Sequence, residues 1–169
     1  VKLPKVAMFN TGANQWRTFD QWPPREAQSV AFYLRENGTL AREQASGAGG
    51  SDRYVSDPGK PVPYTQALSF GYWREYPTED QRFASRRPDV LTYVTEPLTE
   101  DLTVAGPIEV ALHVASSGTD ADFIVKVVDV YPLSAAAQHA GGPRMDAYEQ
   151  LVHGNVFRAR WRRSFERPQ

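Results

Sequence analysis

The chain has 169 residues, which is long enough for one domain with its own core. Its 19 lysines and arginines against 20 aspartates and glutamates give a formal charge of −1, so composition offers no electrostatic case for nucleic acid or an anionic membrane surface as a partner. The absence of cysteine excludes disulfides and cysteine-based zinc sites, and no apolar run approaches the about 20 residues of a membrane-spanning helix. The chain begins without methionine, which suggests a piece of a longer protein.

The first half of the chain predicts short strands and then an irregular, aromatic-rich stretch. Segment 5–12 (KVAMFNTG) is an apolar run ended by turn residues, and segment 29–42 (SVAFYLRENGTLAR) predicts two strands joined at Asn37-Gly38. The prolines of segment 54–64 predict an extended region without regular pairing. Segment 67–76 (ALSFGYWREY), here called the aromatic loop, follows.

The second half shows the regular patterns expected of strands. Alternating or continuous apolar runs of strand length occupy 89–98, 101–106, 107–117, 123–132 and 151–165. No stretch of ten or more residues has a helical period. We therefore predict an all-β protein, as a sandwich, jelly roll or barrel.

A search for catalytic and metal-binding residues finds no convincing set. The histidines, His113, His139 and His153, have no serine or carboxylate partner at motif spacing, and no G-x-S-x-G turn is present. We interpret His113, in the middle of a predicted strand, as structural. No group of residues has the spacing of metal ligands. The sequence therefore predicts no catalytic triad, no metal and no cofactor.

Three aspartates bracket the run 123–128. Asp120 and Asp122 follow a Ser-Ser-Gly-Thr turn, and we favour a turn entering a buried strand over a calcium site, because calcium prefers six or more oxygen ligands. Asp129, inside the strand, would need a backbone or arginine partner if buried.

Two further groups of side chains have alternative interpretations. Arginines 158, 160, 162 and 163 form either a basic patch or a solvated strand face, the latter paired with Glu149 or Glu166. The aromatic loop is either core or binding surface, and both interpretations stay open.

The chain resembles a known family at specific motifs in a specific order. These are F-N-T-G-A-N-Q-W-R at 9–17, T-x-P-L-x-x-D-L-x-V-x-G at Thr95–Gly106, T-D-x-D-F at 119–123, V-D-V-x-P at 128–132 and F-R-A-R-W-R-R-S-F at 157–165. Together they resemble the C-terminal β-domain of the serine hydrolases that include α-amino-acid ester hydrolases, cocaine esterase and X-prolyl dipeptidyl peptidases.

This resemblance implies a jelly-roll-like, galactose-binding-like β-sandwich, of which residues 1–169 would form the first part. The implied partners are an upstream α/β-hydrolase domain that carries the catalytic Ser, Asp and His, and further C-terminal strands. The resemblance also allows a homo-oligomer, and it implies a periplasmic or secreted location. No nucleic-acid or membrane partner is expected.

The resemblance also implies a role for the aromatic loop. In the family this loop reaches the catalytic cleft and lends apolar side chains to the acyl pocket, which makes Phe70 the first candidate, followed by Tyr72 and Trp73. The implied function is that of a non-catalytic accessory domain in a hydrolase of amino-acid esters or amides. The alternatives are a free-standing sugar-binding module that uses the same loop, and a structural interaction domain whose aromatic residues are buried.

Overall fold

A computed structural model describes residues 3–47, 49–68, 70–71, 74–134, 142 and 144–168. The chain divides into two compact units. The first consists of Val1–Gly50 with Tyr93–His113, and the second of Ser51–Thr92 with Val114–Gln169. Within the described ranges, no helix has both the length and the apolar character needed to cross a bilayer.

The first unit begins with an antiparallel hairpin. Strand β1 (Val6–Asn10) pairs with strand β2 (Gln15–Phe19), with Val6 opposite Phe19 and Asn10 opposite Gln15. The Asn10 side chain accepts a hydrogen bond from the backbone N–H of Ala13 at 2.8 Å, which closes the turn. The strand predicted within 5–12 is confirmed.

The second hairpin of this unit forms where the Asn-Gly pair predicts it. Strand β3 (Tyr33–Arg35) pairs with strand β4 (Thr39–Ala41) through the single turn Glu36–Gly38. Asn37 and Gly38 have φ values of 60° and 68°, in the left-handed region that Asn and Gly adopt at low cost. Beside β4, the N–H of Leu40 donates to the carbonyl oxygen of Val94 at 2.9 Å.

The strands predicted for 101–106 and 107–117 are not formed, and the prediction for 89–98 is met only by the bridge between Thr39 and Val94. Alternating apolar residues are present in these segments, yet a strand also needs a neighbour to receive its N–H and C=O groups. Among the described residues no such neighbour exists. Large apolar side chains of this stretch consequently remain about half exposed: Leu102, Val104, Ile108, Val110 and Leu112.

The second unit is built on the longest pairing in the structure. Strand β5 (Asp122–Val130) pairs antiparallel with strand β6 (Glu149–Arg158). Val127 lies opposite His153 and Val128 opposite Leu151, so Val152 is the extra residue of a β-bulge. The strand predicted within 123–132 is confirmed.

Strand β6 is shorter than the sequence predicts. The alternation extends to residue 165, but the strand ends at Arg158 and a single 3₁₀ turn covers Ala159–Trp161. The last bond across the hairpin, from the N–H of Ala159 to the carbonyl oxygen of Ala121, measures 2.9 Å. Past that point no backbone–backbone hydrogen bond joins the two segments within the described residues, and the chain before β5 bends at residues 117–119.

Short helical elements lie across the start of β6. A 3₁₀ turn at Tyr76–Thr78 is followed by helix α1 (Arg82–Ser85), and the N–H of Gln81 donates to the carbonyl oxygen of Glu149 at 2.9 Å. The all-β prediction is confirmed, since the only α-helix in the described part of the chain has four residues. The buried residues of that part are Pro24, Thr65, Gln81, Ala84 and Met145.

Candidate functional site: the aromatic loop

The aromatic loop presents large apolar side chains to solvent. Phe70 has a relative exposure of 111% and Leu68 of 105%, so neither side chain packs against the described residues. The interpretation of Phe70 as a core residue of this chain is therefore wrong. The other two predicted site residues, Tyr72 and Trp73, lie outside the described residues.

The chain entering the loop is held by one carboxylate. Thr65 is buried, and its hydroxyl donates to Oε2 of Glu79 at 2.5 Å. The backbone N–H of Gln66 donates to the same oxygen at 3.3 Å, and the N–H of Ala67 donates to Oγ1 of Thr65 at 3.3 Å. These bonds join the first residues of the loop to the segment that follows it.

The chain leaving the loop is held by aromatic contact. The rings of Tyr64 and Tyr76 lie 5.4 Å apart at an angle of 54°, a separation at which aromatic pairs attract. The Tyr64 hydroxyl also donates to the carbonyl oxygen of Gly71 at 3.5 Å. The two ends of the loop are therefore joined to each other, through the contacts of Thr65 with Glu79 and of Tyr64 with Tyr76.

Segment 76–79 is in turn bound to β6 and the residues just before it. The Tyr148 hydroxyl donates to the carbonyl oxygen of Thr78 at 2.5 Å, and Nε2 of Gln150 donates to that of Pro77 at 3.1 Å. Burial raises the pKa of Tyr148, and the nearby charges of Asp80 and Glu79 raise it further. The phenol therefore stays protonated as the donor of this bond.

Asp80 adds an ionic contact at the same place. Its carboxylate accepts from Nε of Arg82 at 2.6 Å and from the N–H of Glu149 at 3.3 Å. Burial raises the pKa of Asp80, but the hydrogen bonds from Arg82 and from the amides of Arg82 and Glu149 outweigh it, so the pKa lies below 3.8.

A lysine from β5 lies under the segment, in what we call the Lys126 cluster (Lys126, Gln81, Tyr76 and Phe83). Nζ of Lys126 donates to Oε1 of Gln81 at 2.7 Å and lies 5.3 Å and 5.6 Å from the ring centres of Tyr76 and Phe83. Burial lowers the pKa of Lys126, against the opposing charge of Glu79. Gln81 is 2% exposed and also donates from Nε2 to the carbonyl oxygen of Glu79 at 2.9 Å.

The aspartates at the start of β5 form a second polar group, at the far end of the hairpin. Asp120 accepts from Nε of Arg160 at 2.8 Å and from its N–H at 3.0 Å, and Nε of Arg158 lies 3.5 Å from Oδ2 of Asp122. The hydrogen bond from the Arg160 guanidinium lowers the pKa of Asp120. These carboxylates hold the hairpin end together, as the turn-and-strand interpretation requires.

For Arg158 and Arg160 the pairing differs from the expected one, since Asp122 and Asp120 take the place of Glu149 and Glu166. These ion pairs join the chain at the start of β5 to the chain at the end of β6. The register that brings the pairs together cannot be read from a single sequence. Asp129 is exposed, so it needs no buried partner.

The remaining candidates do not assemble into a reactive centre. His113 and His153 are exposed, and His139 lies outside the described residues. No group of three or more histidines and carboxylates converges in a metal-binding arrangement within the described ranges.

Sequence reasoning missed the residues that fix the loop, namely Thr65, Glu79, Gln81 and Lys126. Lys126 and Gln81, which are in direct contact, lie 45 positions apart in the chain, and no spacing rule joins the four residues. One signal was present, because Lys126 is the single charged residue in the otherwise apolar run 123–128. A lysine placed there needs a polar partner, and the cluster supplies it.

Comparison with known proteins gives consistent matches. The family model of the X-Pro dipeptidyl-peptidase C-terminal non-catalytic domain matches residues 1–168. Cocaine esterase from Rhodococcus sp. (strain MB1 Bresler) is 34% identical over 166 residues, which cover 93% of this chain and 29% of that protein.

Two solved structures match at the level of the fold. An aminopeptidase from a marine sediment Thaumarchaeota archaeon is 34% identical with a TM-score of 0.83, covering 100% of this chain and 28% of its own. An α-amino acid ester hydrolase is 38% identical with a TM-score of 0.80, covering 98% of this chain and 28% of its own. The chain thus spans less than a third of the length of these relatives.

Proposed function

We propose that this chain supports an α/β-hydrolase domain and forms one wall of that domain's acyl pocket. The basis is that the chain belongs to the family of X-Pro dipeptidyl-peptidase C-terminal non-catalytic domains. The hydrolase would be a serine enzyme acting on esters or amides of amino acids. The catalytic groups belong to the partner domain, which agrees with the lack of a triad motif in the sequence. This chain then supports the catalytic domain and contributes to its selectivity for the acyl group.

Exposed apolar side chains support a role within a larger protein. In segment 102–112 the large apolar side chains are about half exposed. Apolar surface of this kind is characteristic of interfaces. We propose that the catalytic domain and further strands of the same protein cover it.

The observation that carries the pocket assignment is the complete exposure of Leu68 and Phe70 on a loop whose ends are both bonded. An apolar tip without such attachment would be free to fold back onto its own chain. Here the hydrogen bond of Thr65 and the ring contact of Tyr76 hold the two ends of the loop, and Leu68 and Phe70 remain fully exposed. A held apolar tip is suited to insertion into a neighbouring cleft, where a phenyl ring contributes to binding an acyl group.

The test is Phe70→Ala in the intact hydrolase, compared on the methyl esters of alanine and phenylalanine. Removing one apolar side chain from an acyl pocket changes the ratio of the two kcat/KM values by about tenfold or more. The matched control is Leu133→Ala, because Leu133 is also exposed, at 84%, but lies outside the aromatic loop. That variant should leave the ratio unchanged.

Other outcomes would assign the loop a different role. A large loss of stability with an unchanged ratio would show that Phe70 packs at a domain interface away from the substrate. Loss of polysaccharide binding with unchanged ester hydrolysis would favour the sugar-binding module.

A further inference from the structure

Lys126 occupies an unusual place for a charged residue, in the middle of β5 and against two aromatic rings. We propose that Lys126 is a positioning residue, which sets the orientation of the aromatic loop and thereby the selectivity of the hydrolase for the acyl group. This inference rests on the proposed function of Phe70 and adds a residue remote from the loop to the determinants of selectivity.

The first connection from Lys126 to the loop is a chain of hydrogen bonds. Nζ donates to Gln81 at 2.7 Å, and Gln81 donates to the carbonyl oxygen of Glu79 at 2.9 Å. The Glu79 carboxylate then accepts from Thr65 at 2.5 Å and from the N–H of Gln66 at 3.3 Å. The amide of Gln81 is too deeply buried to take a water molecule readily in place of the lysine, so removing the ammonium shifts the residues next in the chain.

The second connection is aromatic and reaches the other end of the loop. The ammonium lies 5.3 Å from the centre of the Tyr76 ring, and that ring lies 5.4 Å from the ring of Tyr64. A cation over a ring face attracts it electrostatically. Tyr64 in turn donates to the carbonyl oxygen of Gly71, inside the loop. A single ammonium therefore contacts the supports of both loop ends.

The surroundings of Lys126 are arranged for this role and not for an ion pair. Across the ladder its partner is Gly154, where an added Cβ would lie 3.5 Å from Cγ of Lys126 and 3.7 Å from the Tyr76 hydroxyl. These are ordinary van der Waals separations, so the lysine stem and the Tyr76 hydroxyl both lie close to Gly154. Within the described part of the chain, no carboxylate lies within ion-pair distance of Nζ.

The experiment is a double-mutant cycle in the intact hydrolase, with Lys126→Met, Phe70→Ala and both changes together. The readout is the ratio of kcat/KM for the methyl esters of alanine and phenylalanine. Lys126→Met should change the ratio by about threefold to tenfold with Phe70 present and much less with alanine at position 70, because coupled residues give non-additive effects. Lys60→Met is the control, since it removes the same charge at an exposed turn.

A second variant and a second measurement distinguish a specific effect of Lys126 from general misfolding. Lys126→Gln keeps a donor for Gln81 but removes the charge over the rings, and an intermediate ratio is expected. Hydrogen exchange should also become faster in peptides covering 64–79, and remain unchanged in β1 and β2. A loss of structure throughout the protein would change all of these together.

Each remaining outcome separates the two proposals. An altered ratio in Phe70→Ala with an unchanged ratio in both Lys126 variants overturns the positioning role and leaves the proposed function standing. Additive effects of the two changes overturn the positioning role as well, because Lys126 would then act by another route. Unchanged ratios in every variant overturn both proposals.

Discussion

The β5–β6 hairpin and segment 102–112 both contain apolar residues in runs of strand length but have very different structures. In the hairpin, each strand receives the backbone groups of the other, and segment 76–85 adds bonds along one side. In segment 102–112 the apolar residues produce no strand within the described chain, and the large side chains are 41–54% exposed. An apolar pattern alone therefore does not form a strand, because a neighbouring strand is needed to pair its backbone and bury its apolar side chains.

The comparison is tested most strongly by placing a charge in the unpaired segment. Val110→Asp in the full-length protein should lower the free energy of unfolding by about 3 kcal/mol or more, if the rest of the protein covers this face, since the new carboxylate would be buried without a partner. Thermal unfolding of the intact protein measures the change, together with hydrogen exchange of the peptide over 107–117.

The neighbouring residue provides the control for this substitution. Glu109 lies on the opposite face of the predicted strand, so Glu109→Gln should change the unfolding temperature little. If Val110→Asp has an equally small effect, segment 102–112 is exposed in the whole protein too, and the difference between the two regions persists in the full-length fold.

An intermediate effect on stability is expected when the pH is lowered far enough to protonate Asp80. The pKa of Asp80 is lowered in the folded protein, from an ordinary value of 3.8. Its stabilising contribution is therefore fully present above about pH 4 and is lost as the pH falls through the lowered value. In Asp80→Asn this part of the acid dependence should be missing. Urea unfolding of both proteins between about pH 6 and pH 3 measures the difference, and identical pH profiles would contradict the contact with Arg82.

The smallest effect is expected at Gly154. An added Cβ would meet its neighbours at 3.5–3.8 Å, which are ordinary contacts, so Gly154→Ala should fit. It should stabilise the protein by about 0.5 kcal/mol, because alanine restricts the unfolded chain more than glycine does. Gly106→Ala is the contrasting variant, since φ there is +126° and alanine would be strained. Destabilisation by Gly154→Ala as well would mean that the Lys126 cluster is packed more tightly than these distances indicate.

Local sequence signals predicted local structure well. Asn37-Gly38 identified a hairpin, and the apolar runs at 5–12 and 123–132 identified strands, because turn chemistry and side-chain alternation act within a few residues. The same signals failed at 107–117, where the outcome depends on a strand that sequence pattern cannot locate.

Aromatic density and family resemblance predicted Phe70 as a pocket residue, and that assignment stays a prediction; the structure shows only that its side chain is fully exposed. The supports of the loop were not predictable, because the contact of Lys126 with Gln81 joins residues 45 positions apart. Contacts of that kind follow from the packing of segment 76–85 on the hairpin, which is a property of the whole unit.

Because contacts hold both of its ends, the residues of the aromatic loop can be exchanged as a unit. Residues between Ala67 and Glu75 can differ in length or composition while Thr65, Glu79 and Tyr76 keep their contacts. Lengthening such a loop is inexpensive, since doubling it adds only about 0.6 kcal/mol of closure entropy. On the proposed pocket role, exchange of residues 67–75 is expected to change substrate selectivity without the redesign of any strand.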